Sequence, residues 1–321
     1  MNPLALIESP AGFALPAIIE RSGKGASLRF LEFFTVNIRN PNTRAAYGRA
    51  ACAFLHWCEE RGIAELRQVQ PVHVAAYIEQ LGRERSAPTV KQHLACLRML
   101  FDWLVTGQVM PSNPAHAVRG PRHSVSKGAT PVISSAEARE LLDSMDTATV
   151  VGLRDRALIA VMAFTFARVT AVVGLKVEDY YPQNKRWWLR LREKNGKVND
   201  MPCHHKLEFY LDEYLKAAGS GEDRKAPLFL SAIGRTGQLS SRPMGRTDVW
   251  YMIRRRAADS GLKTAIGCHT FRATGITDYL TTGGKLEIAQ RMAGHSNAKT
   301  TGLYDRRNDD ISVSEVERVG I

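Results

Sequence analysis

The densest group of chemically capable side chains lies between Cys268 and Arg306. His269 and Arg272 are three residues apart, which puts both on one face of a helix. His295 follows Gly294, a residue type that ends helices. Tyr304 comes nine positions later, behind Thr300-Thr301. One arginine, two imidazoles and a phenol suit a phosphodiester: positive charge for its oxygens, proton carriers, and an oxygen nucleophile. The expectation is that Tyr304 attacks a DNA phosphate. Taken singly, His269, His295 and Tyr304 read as ordinary core or surface residues; their combination in one stretch carries the chemistry.

Such a stretch needs elements to position it and a surface to hold the nucleic acid. A chain of 321 residues can bury two cores. Its hydrophobic fraction of 44% and charged fraction of 24% are those of ordinary globular protein. The formal net charge of +12 points to a polyanionic partner. Five cysteines without a CxxC pair read as reduced thiols. Cys203-His204-His205 is the one group resembling metal ligands. Adjacent strand residues face opposite ways and no second cluster accompanies it, so no metal or other cofactor is expected. No apolar run approaches the ~20 residues that span a membrane, and the N-terminus lacks a signal-peptide pattern. Residence in the cytoplasm is the expectation.

Residues 1–26, with Pro3, Pro10 and Pro16, read as a flexible arm. A helical domain follows over 27–109. Its first helix covers about 27–38. Asn40-Pro41 opens the next, with Tyr47, Ala50, Ala51, Phe54 and Cys58 at helical spacing and Gly62 beyond its end. Gln70 to Leu81 gives another. Ala87 to Thr106 gives the last, with Val90, Leu94, Leu97, Phe101 and Leu104 as its core stripe. Arg44, Lys91 and Arg98 lie off the apolar stripes and are candidate DNA contacts, with solvated helix surface as the plain alternative. Residues 110–131, rich in Pro, Gly and basic side chains, read as an interdomain linker.

The second domain spans 132–310. Ser134 and Glu137 have capping-box spacing. Arg154 to about Ala167 is strongly apolar, with Ala157, Leu158, Ala160, Val161 and Phe164, and should be central. It runs into Arg168, whose guanidinium at a junction of buried helices needs an anionic partner. Three short strands are expected at 177–181, 186–192 and 198–203. Asn195-Gly196 makes the last two a hairpin, with Lys194 and Lys197 beside the turn. His205 to Ala218 is an amphipathic helix with Leu207, Tyr210, Leu211, Tyr214 and Leu215 on its apolar face, Pro227 to Leu230 a short strand, and 233–245 an exposed loop. Arg246 to Ser260 is helical. Arg242, Arg246 and Lys197 complete the candidate DNA contacts. Helices at about 268–280 and 286–292 then carry the reactive stretch. Phosphate-loop, dinucleotide and zinc-hydrolase motifs are absent from the sequence.

Arg168, Lys194, His269-x-x-Arg272, Gly294-His295 and Tyr304, in this order behind a helical N-terminal domain, resemble the tyrosine recombinases of the phage integrase family. The likeness covers roughly residues 27–310. It implies a mainly α, two-domain DNA clamp: a helical core-binding domain plus a mostly helical catalytic domain with a small three-stranded antiparallel sheet. It also implies roles. Arg168 and Arg272 would hold the non-bridging oxygens of the scissile phosphate, and Tyr304 would be the nucleophile. His269 would be its base, and Lys194 would protonate the leaving 5′ oxygen. His295 would donate a hydrogen bond to the phosphate. The product would be a 3′-phosphotyrosyl bond, passed through a Holliday junction to a new 5′ hydroxyl during integration, excision or resolution. The implied partners are double-stranded DNA with a specific recombination site and a tetramer of protomers on two duplexes, with room for accessory DNA-binding proteins. The tail, 311–321, would dock on a neighbouring protomer.

The sequence departs from the family pattern at Ala171, where an acidic residue often stands three positions after the first arginine. Asp155, Glu178 and Asp179 are the substitutes considered for supporting Arg168. Lys197 rivals Lys194. Two other functions share parts of this pattern: a type IB topoisomerase-like relaxase, and a DNA-binding regulator with an inactive site.

Overall fold

The computed structural model describes residues 15–124, 128–193, 196–219 and 223–305. It divides into two compact units, Met1–Ser124 and Val125–Ile321.

The first unit is all helical. It contains α1 (Ala17–Arg21), α2 (Lys24–Glu32), a π-helical turn at Phe33–Asn37, α3 (Pro41–Glu59), α4 (Pro71–Glu84) and α5 (Ala87–Thr106). The Asn40 side chain accepts from the Asn42 and Thr43 amides at 3.0 and 3.3 Å, and Pro41 occupies the first turn. That fixes the start of α3 where the sequence places it. Phe54 is fully buried at the centre, stacked on Trp57 and edge-on to Tyr77 and Phe101. Each such side chain contributes about 2 kcal/mol by leaving water.

Two expected boundaries shift. Part of the supposed arm is core: Ile18 and Ile19 in α1 are fully buried, and the Ile18 amide donates to Glu59 at 2.7 Å. A five-residue helix has too little periodicity to announce itself; it is held by what it packs against. The first part of the supposed linker also belongs to this unit. Met110, Ala115 and Val118 are buried, and Arg98 donates to the Ala115 and Val118 carbonyls at 3.3 and 2.5 Å. Prolines hide that packing because the segment is pinned at separate points rather than by a repeating face.

The second unit is built on α7 (Val150–Thr165), buried along nearly its whole length. α6 (Ser135–Asp143), α9 (His205–Ala218) and α11 (Cys268–Thr281) surround it. Gly275 permits the close crossing of α11 over α7, since a side chain there would collide with the Ala163 carbonyl. α8 (Val169–Val173) follows α7 directly. β1 (Tyr180–Gln183), β2 (Arg186–Arg192) and β3 (Val198–Pro202) form an antiparallel sheet in sequential order, with Leu189 opposite both Tyr180 and Met201. The first strand begins later than expected because Val177–Asp179 is a 3-10 turn.

The expected loop 233–245 is corrected: β4 (Leu230–Ala232) and β5 (Leu239–Pro243) pair as a hairpin. Ser, Arg and Pro in β5 carry no strand preference, so the pairing escaped the sequence pattern. α10 (Arg246–Asp259), α12 (Leu286–Met292) and α13 (Ala298–Gly302) complete the unit. Arg256 of α10 turns inward, donating to Asp155 at 2.9 and 2.7 Å, while Arg154 donates to the other oxygen of that carboxylate at 2.9 Å. Among the described residues no helix is long and apolar enough to cross a membrane.

Candidate active site

Arg272 lies in the second turn of α11 and is 2% exposed. Its two terminal nitrogens donate to backbone carbonyls, one to Phe166 and one to Ala293 at 2.5 Å. Each carbonyl stands at the C-terminal end of a helix, where the backbone carries partial negative charge. Phe166 follows α7 in the left-handed region, φ 56°, which breaks the helix and leaves its carbonyl for the guanidinium. Burial and the nearby Arg168 push the pKa of Arg272 down to about 10, opposed by Glu193 and Tyr304, so the group stays cationic at neutral pH.

Arg168 is the first residue outside α8, and its side chain keeps 34% of its surface in solvent. It donates to Glu193 at 2.6 Å, whose side chain is only 4% exposed. The acid that supports Arg168 is therefore Glu193, at the end of β2. The substitutes considered from the sequence are engaged elsewhere. Asp155 holds Arg154 and Arg256, Asp179 holds Arg192, and Glu178 lies 3.8 Å from Lys176. Ala171 is buried and offers no carboxylate.

Glu193 closes the β2–β3 turn, its amide donating to the Lys197 carbonyl at 2.7 Å. Lys194 and Asn195, within that turn, lie outside the described residues. Lys197 is exposed beside it. Asn199 of β3 donates to the Met292 carbonyl at 3.1 Å, tying the hairpin to the end of α12.

α12 ends in a Schellman motif. Gly294, φ 59°, donates to Arg291 at 3.0 Å, and the His295 amide reaches back to Gln290 at 3.1 Å. The positive φ is what glycine supplies here. The turn delivers His295 into a buried position, 8% exposed, where Nδ1 lies 2.9 Å from the Thr301 hydroxyl. Its ring stacks on Tyr304, centroids 6.1 Å apart and planes 10° from parallel. Burial, then the charges of Arg272 and Arg168, lower the His295 pKa to about 4, so the imidazole is neutral at pH 7. His269, one turn before Arg272, keeps an exposed edge; loss of water around the ring and the same two guanidiniums lower its pKa as well. Tyr304 is half-buried against the cluster of Phe166, Ile276 and Ala293, and its carbonyl accepts from Thr277 of α11 at 3.1 Å.

The structure thus brings Arg168, His269, Arg272, His295 and Tyr304 into one electrostatic neighbourhood. The sequence reading missed two side chains there. Glu193 adjoins the singled-out Lys194, and Thr301 sits inside the Thr-Thr-x-x-Tyr run, but neither contact is local in sequence. Of the candidate DNA contacts, Lys91, Lys197, Arg242 and Arg246 are exposed, with Arg242 3.2 Å from Asp248. Arg44 donates to the Ile38 carbonyl at 3.1 and 2.9 Å, and Arg98 to the carbonyls named above, so both serve the fold of the first unit. Among the described residues no group of three His, Cys, Asp or Glu is placed to hold a metal. His204 instead stacks on Phe164 and accepts from the Lys206 amide to cap α9.

Comparisons with known proteins agree on one family. The phage integrase family model matches residues 131–310, and the phage integrase N-terminal SAM-like domain matches 29–108. Tyrosine recombinase XerD of Corynebacterium glutamicum is 27% identical over 288 residues, covering 86% of this chain and 91% of that protein. The fold is similar to that of XerH site-specific recombinase in a post-cleavage complex with a palindromic difH substrate (TM-score 0.70, 16% identity, covering 95% of this chain and 96% of that one). It is also similar to that of a lambda integrase tetramer bound to a Holliday junction (TM-score 0.67, 18% identity, covering 89% and 79%). With the family matched over more than half its length, the chain belongs to the phage integrase family and is a tyrosine-type site-specific recombinase, an enzyme that cleaves and rejoins DNA strands.

Proposed function

We propose that Tyr304 carries out strand transfer on a scissile phosphate held by Arg168 and Arg272. The phenol oxygen attacks phosphorus and forms a 3′-phosphotyrosyl ester as the bond to the 5′ oxygen breaks. His269 takes the phenol proton and Lys194 gives one to the leaving oxygen. Attack adds charge to a centre already anionic, which two guanidiniums stabilise. Neutral His295 donates from Nε2 to a phosphate oxygen. The ester keeps the energy of the broken bond, so an incoming 5′ hydroxyl reverses the step on another strand.

The observation that carries this reading is the convergence of two guanidiniums, one buried and one accessible, on the His295–Tyr304 stack. A nicked duplex that loses its 5′ fragment traps the covalent product. Wild-type protein should give a denaturation-resistant adduct. Tyr304→Phe should bind the duplex and give none; an adduct at wild-type level would remove Tyr304 as nucleophile.

The substrate is double-stranded DNA carrying a specific site, engaged by a tetramer on two duplexes in the cytoplasm. Residues 306–321 lie outside the described residues; their sequence carries the apolar side chains Ile311, Val313, Val316, Val319 and Ile321. A cavity of about 850 Å³ in the second unit, lined in part by Phe164, Met201, Tyr210, Ile288 and Met292, has a size and apolar character that suit such a tail from a neighbouring protomer.

A further inference from the structure

We infer that Glu193 is a positioning residue for strand transfer: its buried carboxylate sets the Arg168 guanidinium against the scissile phosphate and ties that setting to the hairpin that carries Lys194. The inference rests on the reading of Arg168 as a phosphate-holding group.

Glu193 is a buried carboxylate with an ion partner at 2.6 Å, a geometry that fixes both groups because separating them leaves a charge out of water. Arg168 spends one terminal nitrogen on it, and among the described residues its other donors have no hydrogen-bond partner, so they can meet a phosphate in a set orientation. Arg168 and Arg272 repel each other before DNA arrives. A carboxylate facing them offsets that repulsion and keeps the fork from swinging to solvent, where a third of Arg168 already lies.

The same residue is wired to the hairpin. Its amide closes the turn onto Lys197, and Lys194 is its immediate successor. Its stem packs beside the Gly294 turn, where an added Cβ would sit 3.9 Å from the Glu193 Cγ. A movement of the hairpin therefore moves the carboxylate that aims Arg168.

The test measures covalent-adduct formation on the nicked duplex in single turnover, with DNA affinity and thermal unfolding recorded for each full-length variant. Glu193→Gln keeps the shape and removes the charge. It should slow adduct formation about 10-fold while changing DNA affinity less than about 2-fold. Glu193→Asp should recover part of the rate. In an Arg168→Ala background, Glu193→Gln should cost nothing further, and should raise the unfolding temperature by removing an unpaired buried charge. With a methylphosphonate at the scissile position, the Glu193→Gln and Arg168→Ala defects should shrink together, because the anionic oxygen they serve is gone. A wild-type rate for Glu193→Gln overturns the inference. So does a 10-fold loss that persists in the Arg168→Ala background, which would make Glu193 a support for the hairpin alone. If Arg168→Ala by itself cleaves at the wild-type rate, the phosphate-holding reading has failed, an outcome visible without any Glu193 variant.

Discussion

Arg272 and Arg168 carry the same charge in the same pocket, yet the protein holds them by opposite means. Arg272 is sealed between the ends of α7 and α12 and bonded to two carbonyls that cannot move without the helices. Arg168 is part-exposed and bonded to a carboxylate on a turn. The difference separates fold from control. One guanidinium is part of the framework and is in place whenever the domain is folded; the other follows the position of a hairpin.

Neutral replacements should expose that difference most strongly. Arg272→Met leaves the Phe166 and Ala293 carbonyls without donors and should lower stability by about 2–4 kcal/mol. The matched change at the other site must remove both charges, since a lone buried Glu193 would be costly in itself. Arg168→Met with Glu193→Gln should stay within about 1 kcal/mol of wild type. Both should form adduct about 1,000-fold more slowly or worse, each having lost a charge from the transition state. Urea unfolding beside single-turnover cleavage checks the contrast; equal stability losses would erase the distinction between framework and control.

The same division explains what the sequence could reveal. The placing of His269, Arg272, Gly294 and His295 was legible because it is local: two residues three apart on one helix face, and a glycine whose positive φ ends α12 in a Schellman motif and delivers the next residue. The capping box at Ser134 was legible for the same reason, and it forms, with the Ser134 amide donating to Glu137 at 2.7 Å and the Glu137 amide to Ser134 at 3.1 Å. The Glu193 partner of Arg168 was not legible, because it lies twenty-five positions away, across two strands of a sheet. Ile18 and Ile19, the buried points of 110–118, and the β4–β5 hairpin were missed on similar grounds. Each is fixed by a distant surface rather than by its own period.

His295 faces both arginines, so it supplies a proton-linked version of the comparison. Its pKa falls from an ordinary 6.5 to about 4 on folding. The unfolded chain therefore binds the proton more readily, and stability is full above pH 6.5 and lost as pH falls from there toward 4. The loss at this site is at most about 3 kcal/mol. His269 and His204 shift in the same direction, so some slope remains when His295 is removed. His295→Gln should flatten the dependence of unfolding temperature on pH across that window. An unchanged slope would mean that neither burial nor the two arginines lower the imidazole's pKa.

The smallest expected effect concerns which nitrogen of His295 carries its proton. A neutral imidazole has one donor and one acceptor, and only an Nε2 proton can serve a phosphate on the side away from Thr301. The Thr301 hydroxyl lies 2.9 Å from Nδ1 and is fully buried, so its proton can occupy the Nδ1 lone pair and leave Nε2 as the donor. Thr301→Val keeps the volume and removes that bond. It should slow adduct formation about 5-fold, the worth of one ordinary hydrogen bond, with Thr301→Ser restoring the rate. Nitrogen NMR of the ring should show Nδ1 as the acceptor in the wild type and a mixed population in the valine variant. A wild-type ring protonated on Nδ1 would reverse the bond, make Thr301 the acceptor, and leave His295 unable to donate to the phosphate that the two arginines hold.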